Sequence, residues 1–157
     1  MDNKNNDYSI VFSQVQKAYG KNIVINNLNL EIEKGERLIL LGPSGCGKTT
    51  TLRMIAGFEE ITQGDLFMGG ARVNDVAPGE RNIAMVFQSY ALFPHLSVWE
   101  NITFGLQLQK LPQAEIEKRT RQALELLHLE GYENKKTHEL SGGQKQRVAL
   151  CRALVKQ

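Results

Sequence analysis

The 157-residue chain predicts an α/β fold, with a mixed sheet in its first half and a mainly helical second half. Three observations carry this. Leu28, Leu30 and Ile32 alternate with Asn29, Glu31 and Glu33, the period of two of a half-buried strand. The short apolar run Leu38-Ile39-Leu40-Leu41 leads through a glycine-rich loop into a helix-forming stretch. Beyond Pro112, the residues Ile116, Thr120, Ala123, Leu124 and Leu127 recur at helical spacing with charges between them.

Taken in chain order, Ser9 to Val15 is rich in β-formers and reads as the first strand, followed by the alternating strand at Leu28 to Ile32. A turn at Lys34-Gly35 precedes Leu38 to Leu41, whose continuous apolar character predicts a strand covered on both faces. Lys48 to Ala56 then reads as a helix, stopped by Gly57. Leu66 to Met68 and Ile83 to Phe87 read as two further strands. Between them lies a turn-rich stretch holding Asn74-Asp75 and Pro78-Gly79. The amphipathic helix after Pro112 belongs to a different layer, and no internal repeat is present.

Bulk properties exclude several classes. With 41% apolar and 23% charged residues the composition is that of a globular domain. A net charge of +2, from 19 basic and 17 acidic residues, is too balanced for a nucleic-acid footprint, so no nucleic-acid partner is expected. No run approaches the length of a membrane span, and the polar N-terminus is not a signal peptide, so a cytoplasmic location is expected. Cys46 and Cys151 have no metal-ligand partners at useful spacing and read as free thiols.

Gly42-Pro43-Ser44-Gly45-Cys46-Gly47-Lys48-Thr49 fits the pattern G-x-x-x-x-G-K-[ST]. Its glycines let backbone N–H groups point inward around an anion, and the following helix aligns its positive end with the same spot. Lys48 supplies an ammonium to the β- and γ-phosphate oxygens of a nucleotide, and the Thr49 hydroxyl suits Mg²⁺. An ordinary glycine-rich turn is the bland alternative. The strand before the loop and the helix after it stand where the mechanism requires them and argue against it.

Leu140-Ser141-Gly142-Gly143-Gln144, continued by Lys145-Gln146-Arg147-Val148, is the second motif. Ser141 and Gln144 have the S-x-x-Q spacing of a capping box on a helix running through Val148, Cys151 and Val155. Glycines in its first turn permit close approach to a phosphate. A plain helix cap with no ligand fits the same residues.

Together the two motifs make the chain resemble the ATP-binding-cassette (ABC) transporter ATPases, over essentially its whole length. Met85-Val86-Phe87-Gln88-Ser89-Tyr90-Ala91-Leu92-Phe93-Pro94-His95 resembles that family's glutamine loop, and Tyr19 sits where the family stacks an aromatic on adenine. The resemblance implies ATP contacts from Tyr19, Gly42, Pro43, Ser44, Gly45, Cys46, Gly47, Lys48, Thr49 and Thr50, and, across a second copy of the chain, from Ser141, Gly142, Gly143 and Gln144. It implies Mg²⁺ near Thr49 and Gln88, and catalytic roles for Lys48 and Gln88. It also implies a membrane permease partner, received by the run from Tyr90 to Trp99, and peripheral attachment to the inner face of the cell membrane. Core packing of Leu92, Phe93 and Trp99 is the simpler account of that run. Within the family, Arg72 to Arg81 and Phe87 to Leu96 are most like the ATPases of sugar and glycerol-phosphate importers, with polyamine and ferric-iron importers close behind.

The expected organisation is a flexible N-terminus at 1–8 and an ABC domain at 9–157, divided into a nucleotide-binding core at 9–88 and a mainly helical signature subdomain at 89–157. The chain departs from the family where a strand ending in Asp-Glu, the Walker B strand, and a switch histidine are due. Residues 140–157 hold four basic residues and no carboxylate, and His95, His128 and His138 all precede the signature. The domain is therefore expected to be truncated before the Walker B strand, with doubtful hydrolysis and exposed sheet edges. A non-catalytic nucleotide-binding fragment is an alternative. A soluble ABC protein of DNA repair is disfavoured, because no heptads run between Gln88 and Leu140.

Overall fold

The computed structural model describes residues 8–156, so Met1 to Asp7 of the expected flexible N-terminus lie outside the described residues. The chain divides into two compact units, Met1–Ile83 and Ala84–Gln157.

The first unit holds β1 (Tyr8–Tyr19), β2 (Asn22–Glu33), α1 (Lys48–Ala56), β3 (Gln63–Met68) and β4 (Ala71–Arg72). They form a four-stranded sheet in the order β2-β1-β3-β4. Tyr8 already belongs to β1, and both long strands run further than their β-forming centres suggested. Val11 faces Glu31 on one side and Phe67 on the other, so β1 is central. Phe12, Val15, Ile25, Leu66 and Val73 pack with Met54 of α1 into one core, with Phe12 at 1% exposure and Met54 at 0%. Burying side chains of this size contributes roughly 1.5–3 kcal/mol each.

Two expected strands and the mixed pairing need correction. Every pairing in the described sheet is antiparallel. Leu38 to Leu41 forms no ladder, and Ile39 and Leu41 are 76% and 87% exposed rather than buried. Ile83 to Phe87 likewise is not assigned to a strand, and Val86 and Phe87 are exposed. The physical reason is that a strand exists only through its neighbours. Among the described residues neither run is part of a ladder, and β-propensity alone does not make a strand.

The second unit is helical: α2 (Val98–Leu108), α3 (Gln113–Leu126) and α4 (Gly142–Leu154). Its core joins Val98, Ile102 and Leu106 of α2, Ile116 and Leu124 of α3, and Val148 and Cys151 of α4. The sequence pattern showed α3 and α4 but not α2. Yet α2 has its own start signal, a capping box in which Glu100 N–H donates to Ser97 Oγ at 3.1 Å and Ser97 N–H to Glu100 Oε2 at 2.6 Å. Leu92 and Trp99 pack against this core, in keeping with the simpler account of the run from Tyr90 to Trp99.

Candidate functional site

In the first unit, the Gly42–Thr49 loop turns back on itself through glycines in the left-handed region, with φ of 84° at Gly45 and 94° at Gly47. Gly47 is the cap of α1, and a Cβ there would lie 2.9 Å from Ile25 Cγ1 of β2, so only glycine lets the loop close against the sheet. At Gly42 a Cβ would meet Cys46 Sγ at 2.7 Å. Lys48 leads α1, and its ammonium folds into the loop, donating to the carbonyls of Gly42 at 2.6 Å and Pro43 at 2.7 Å, with Cys46 Sγ at 3.4 Å. The cation is thus held at the mouth of a helix N-terminus, where an anion is favoured twice over. Thr49 is exposed and Thr50 half-buried. Thr51 turns inward and donates from Oγ1 to the Gly47 carbonyl at 3.0 Å.

The far end of α1 is fastened by a residue that sequence reasoning missed. Gly57, at φ 78°, closes the helix with Phe58 N–H donating to Arg53 O at 2.9 Å. Arg81, only 6% exposed, donates to the carbonyls of Met54, Ile55, Val73 and Val76 at 2.6 to 3.0 Å. Burial pushes its guanidinium below its usual value, although carbonyls hold it on every side. The signal for this role was a lone arginine following the turn-forming Pro78-Gly79.

Tyr19 ends β1 and is 48% exposed. The Lys17 ammonium lies 4.7 Å from its ring centroid and pairs with Glu59 at 2.7 Å, so one face of the ring already has a cation. The Lys17 bond, aided by the Tyr19 hydroxyl, holds the Glu59 carboxyl below the usual carboxylate range.

The second unit carries Gln88 and the Ser141–Gln144 segment. The expected capping box is present: Gln144 N–H donates to Ser141 Oγ at 3.3 Å and Ser141 N–H to Gln144 Oε1 at 2.8 Å. Gln144 Nε2 also donates to Tyr132 Oη at 3.2 Å, which fixes the amide on both sides. Gly142 and Gly143 are exposed, and a Cβ at Gly143 would meet nothing within 4 Å. Their first-turn N–H groups have no intrahelical acceptor, as at any helix start, and so face outward.

Gln88 is exposed and opens a tight turn in which Tyr90 N–H donates to Phe87 O at 2.9 Å. Tyr90 and Ala91 follow in the left-handed region, at φ 64° and 47°, costing roughly 1–2 kcal/mol each for non-glycine residues. Buried Asn101 of α2 anchors what comes next: its Oδ1 accepts from Phe93 N–H at 2.8 Å and its Nδ2 donates to Phe93 O at 3.1 Å. Arg152 of α4 donates to Ala91 O at 2.6 Å and lies 4.9 Å from the Phe93 ring centroid. Neither Asn101 nor Arg152 was found from the sequence. A lone Asn among apolar residues of a helix was the available signal for the first.

Comparison with known proteins agrees with the two motifs. Residues 25–157 match the family model described as ABC transporter. The osmoprotective compounds uptake ATP-binding protein GgtA of Synechocystis sp. is 55% identical over 148 residues, 94% of this chain and 41% of that protein. The oligosaccharides import ATP-binding protein MsmX of Bacillus subtilis is 56% identical over 136 residues, 87% of this chain and 37% of that protein. The chain therefore spans about two fifths of the length of such curated relatives. Among solved structures, MJ0796, a bacterial ABC transporter cassette solved as a dimer, superposes with a TM-score of 0.82 at 34% identity, covering 94% of this chain and 69% of that one. With the glycine-lined lysine loop, the capped Ser141–Gln144 helix start and these similarities in agreement, the chain belongs to the ABC transporter family.

Proposed function

We propose that this chain supplies the phosphate-binding and signature elements of the energy-coupling ATP-binding subunit of an ABC importer. The observation that carries this is the Lys48 ammonium gathered by the carbonyls of a glycine loop at the N-terminus of α1. The donor set of the first unit fits a nucleoside triphosphate with Mg²⁺: backbone N–H groups between Gly42 and Thr50 other than at Pro43, one ammonium, and the exposed Thr49 hydroxyl for the metal. Bound Mg²⁺ would neutralise phosphate charge. Tyr19 offers its free ring face to the base. Ser141, Gly142, Gly143 and Gln144 serve a nucleotide held by a second copy of the chain, a reading supported by the dimeric form of the related cassette. The run from Tyr90 to Trp99 receives a membrane permease, which would hold the subunit at the cytoplasmic face. No helix among the described residues is long and apolar enough to cross a membrane. Resemblance to MsmX supports a carbohydrate among the transported solutes, although the solute itself is recognised elsewhere in such systems.

Titration calorimetry of the purified chain tests this reading. Mg²⁺-dependent ATP binding is expected, and Lys48→Ala should weaken it by about 10- to 100-fold, the worth of a charge-assisted contact. Equal affinity in the two proteins would sink the phosphate-loop assignment.

A further inference from the structure

Two consecutive non-glycine residues in the left-handed region do not persist unless their surroundings hold them there. Tyr90 and Ala91 do so two and three residues after Gln88, at φ 64° and 47°. The segment is held at three points. Before it, Tyr90 N–H closes the turn onto Phe87 O; after it, Phe93 is bonded at both its N–H and its C=O by buried Asn101. The third point is Arg152, near the end of the helix that Ser141 begins. Its Nη1 donates to Ala91 O at 2.6 Å, while its guanidinium stands 4.9 Å from the Phe93 ring, itself packed on Phe104 at 4.7 Å between centroids. Of the three, Arg152 alone belongs to α4, and it grips Ala91 directly.

We infer that Arg152 is a positioning residue that ties the helix begun by Ser141 to the Gln88–Ala91 turn, holding Ala91 in its left-handed conformation and thereby setting where Gln88 stands. Its meaning for coupling rests on the importer reading above, whereas its test does not. A guanidinium suits the task because it makes the planar hydrogen bond and stacks on the aromatic ring at once. Losing it leaves the strain uncompensated, and the turn opens locally while α2 and α4 keep their core.

Hydrogen–deuterium exchange of the full chain without nucleotide reads this directly, and is independent of whether ATP binds. Arg152→Met should raise exchange at residues 89–92 by about tenfold, with α2 and the middle of α4 unchanged. Arg152→Lys, which keeps a donor and a charge, should restore most of the protection. Ala91→Gly in the Arg152→Met background should also restore it, because glycine adopts this φ without strain. Unchanged exchange at 89–92 in Arg152→Met, a rise spread evenly over α2 and α4, or no rescue by Ala91→Gly would each overturn the assignment. Loss of Lys48-dependent ATP binding in the parent chain would instead count against the importer reading and leave this one standing.

Discussion

Arg81 donates from Nη1 to the Met54 carbonyl at 2.6 Å and so closes the C-terminal end of the helix whose first residue is Lys48. A cation at a helix C-terminus is favoured by the aligned peptide dipoles, and here it also bonds the Ile55 and Val76 carbonyls and adds a second donor to those of Met54 and Val73, which already accept from Gly57 and Val76 N–H. Arg81→Met should therefore destabilise the first unit by about 2–4 kcal/mol, because it removes four charge-assisted hydrogen bonds from a buried position. Urea unfolding would show a lower midpoint with an unchanged slope. A shift below about 0.5 kcal/mol, the range of ordinary surface substitutions, would mean that α1 does not depend on this tie.

Gly47 faces a double restriction, from its φ of 94° and from Ile25 Cγ1, which would stand 2.9 Å from an added Cβ. Gly45 shares the φ restriction, at 84°, but has open space around it. Gly45→Ala should cost about 1–2 kcal/mol, the penalty of the left-handed backbone alone. Gly47→Ala should cost more and should also weaken ATP binding by displacing the start of α1. Equal stability in the two variants would show that the contact with β2 is soft.

The two thiols differ sharply in access. Cys46 is exposed within the glycine loop, whereas Cys151 is 0% exposed, donates to Ala123 O at 3.3 Å, and has its thiol pushed up to about 11 by burial. A maleimide at neutral pH should label Cys46 quickly and Cys151 only on unfolding, since the thiolate is the nucleophile. Saturating Mg²⁺-ATP should slow labelling of Cys46. Mass spectrometry of labelled peptides resolves the two sites, and equal rates at both would refute the assignment.

Glu59 makes the first unit sensitive to acid. Its carboxyl lies below the ordinary value of 4.5, chiefly through its bond to Lys17, so folding gains from the ionised form. A depressed carboxylate contributes stability that is fully present above the unfolded value and is lost as pH falls through the folded one. The stability difference between the parent chain and Glu59→Gln should thus be present at neutral pH and shrink below about pH 4.5. Denaturant titrations across that range measure it. A difference that stays constant from neutral pH to pH 3 would rule out ionisation as its source.

Local sequence was sufficient wherever a short segment contains its own cause. Gly42 to Thr49 determines its loop, because glycines permit the left-handed turns and the helix that follows needs no distant partner to begin at Lys48. Ser141 and Gln144 determine a helix start, since both partners of the capping box lie within one turn. Tertiary structure decided what depends on distant neighbours. The apolar run Leu38 to Leu41 has every local mark of a buried strand, yet among the described residues it joins no ladder and Ile39 and Leu41 are exposed, because strand formation requires hydrogen-bond partners that local propensity cannot supply. Arg81, Asn101 and Arg152 look like ordinary polar residues in the sequence. Only folding brings the Met54, Phe93 and Ala91 carbonyls within their reach, and hydrogen bonds spanning 27, 8 and 61 positions leave no periodic trace along the chain.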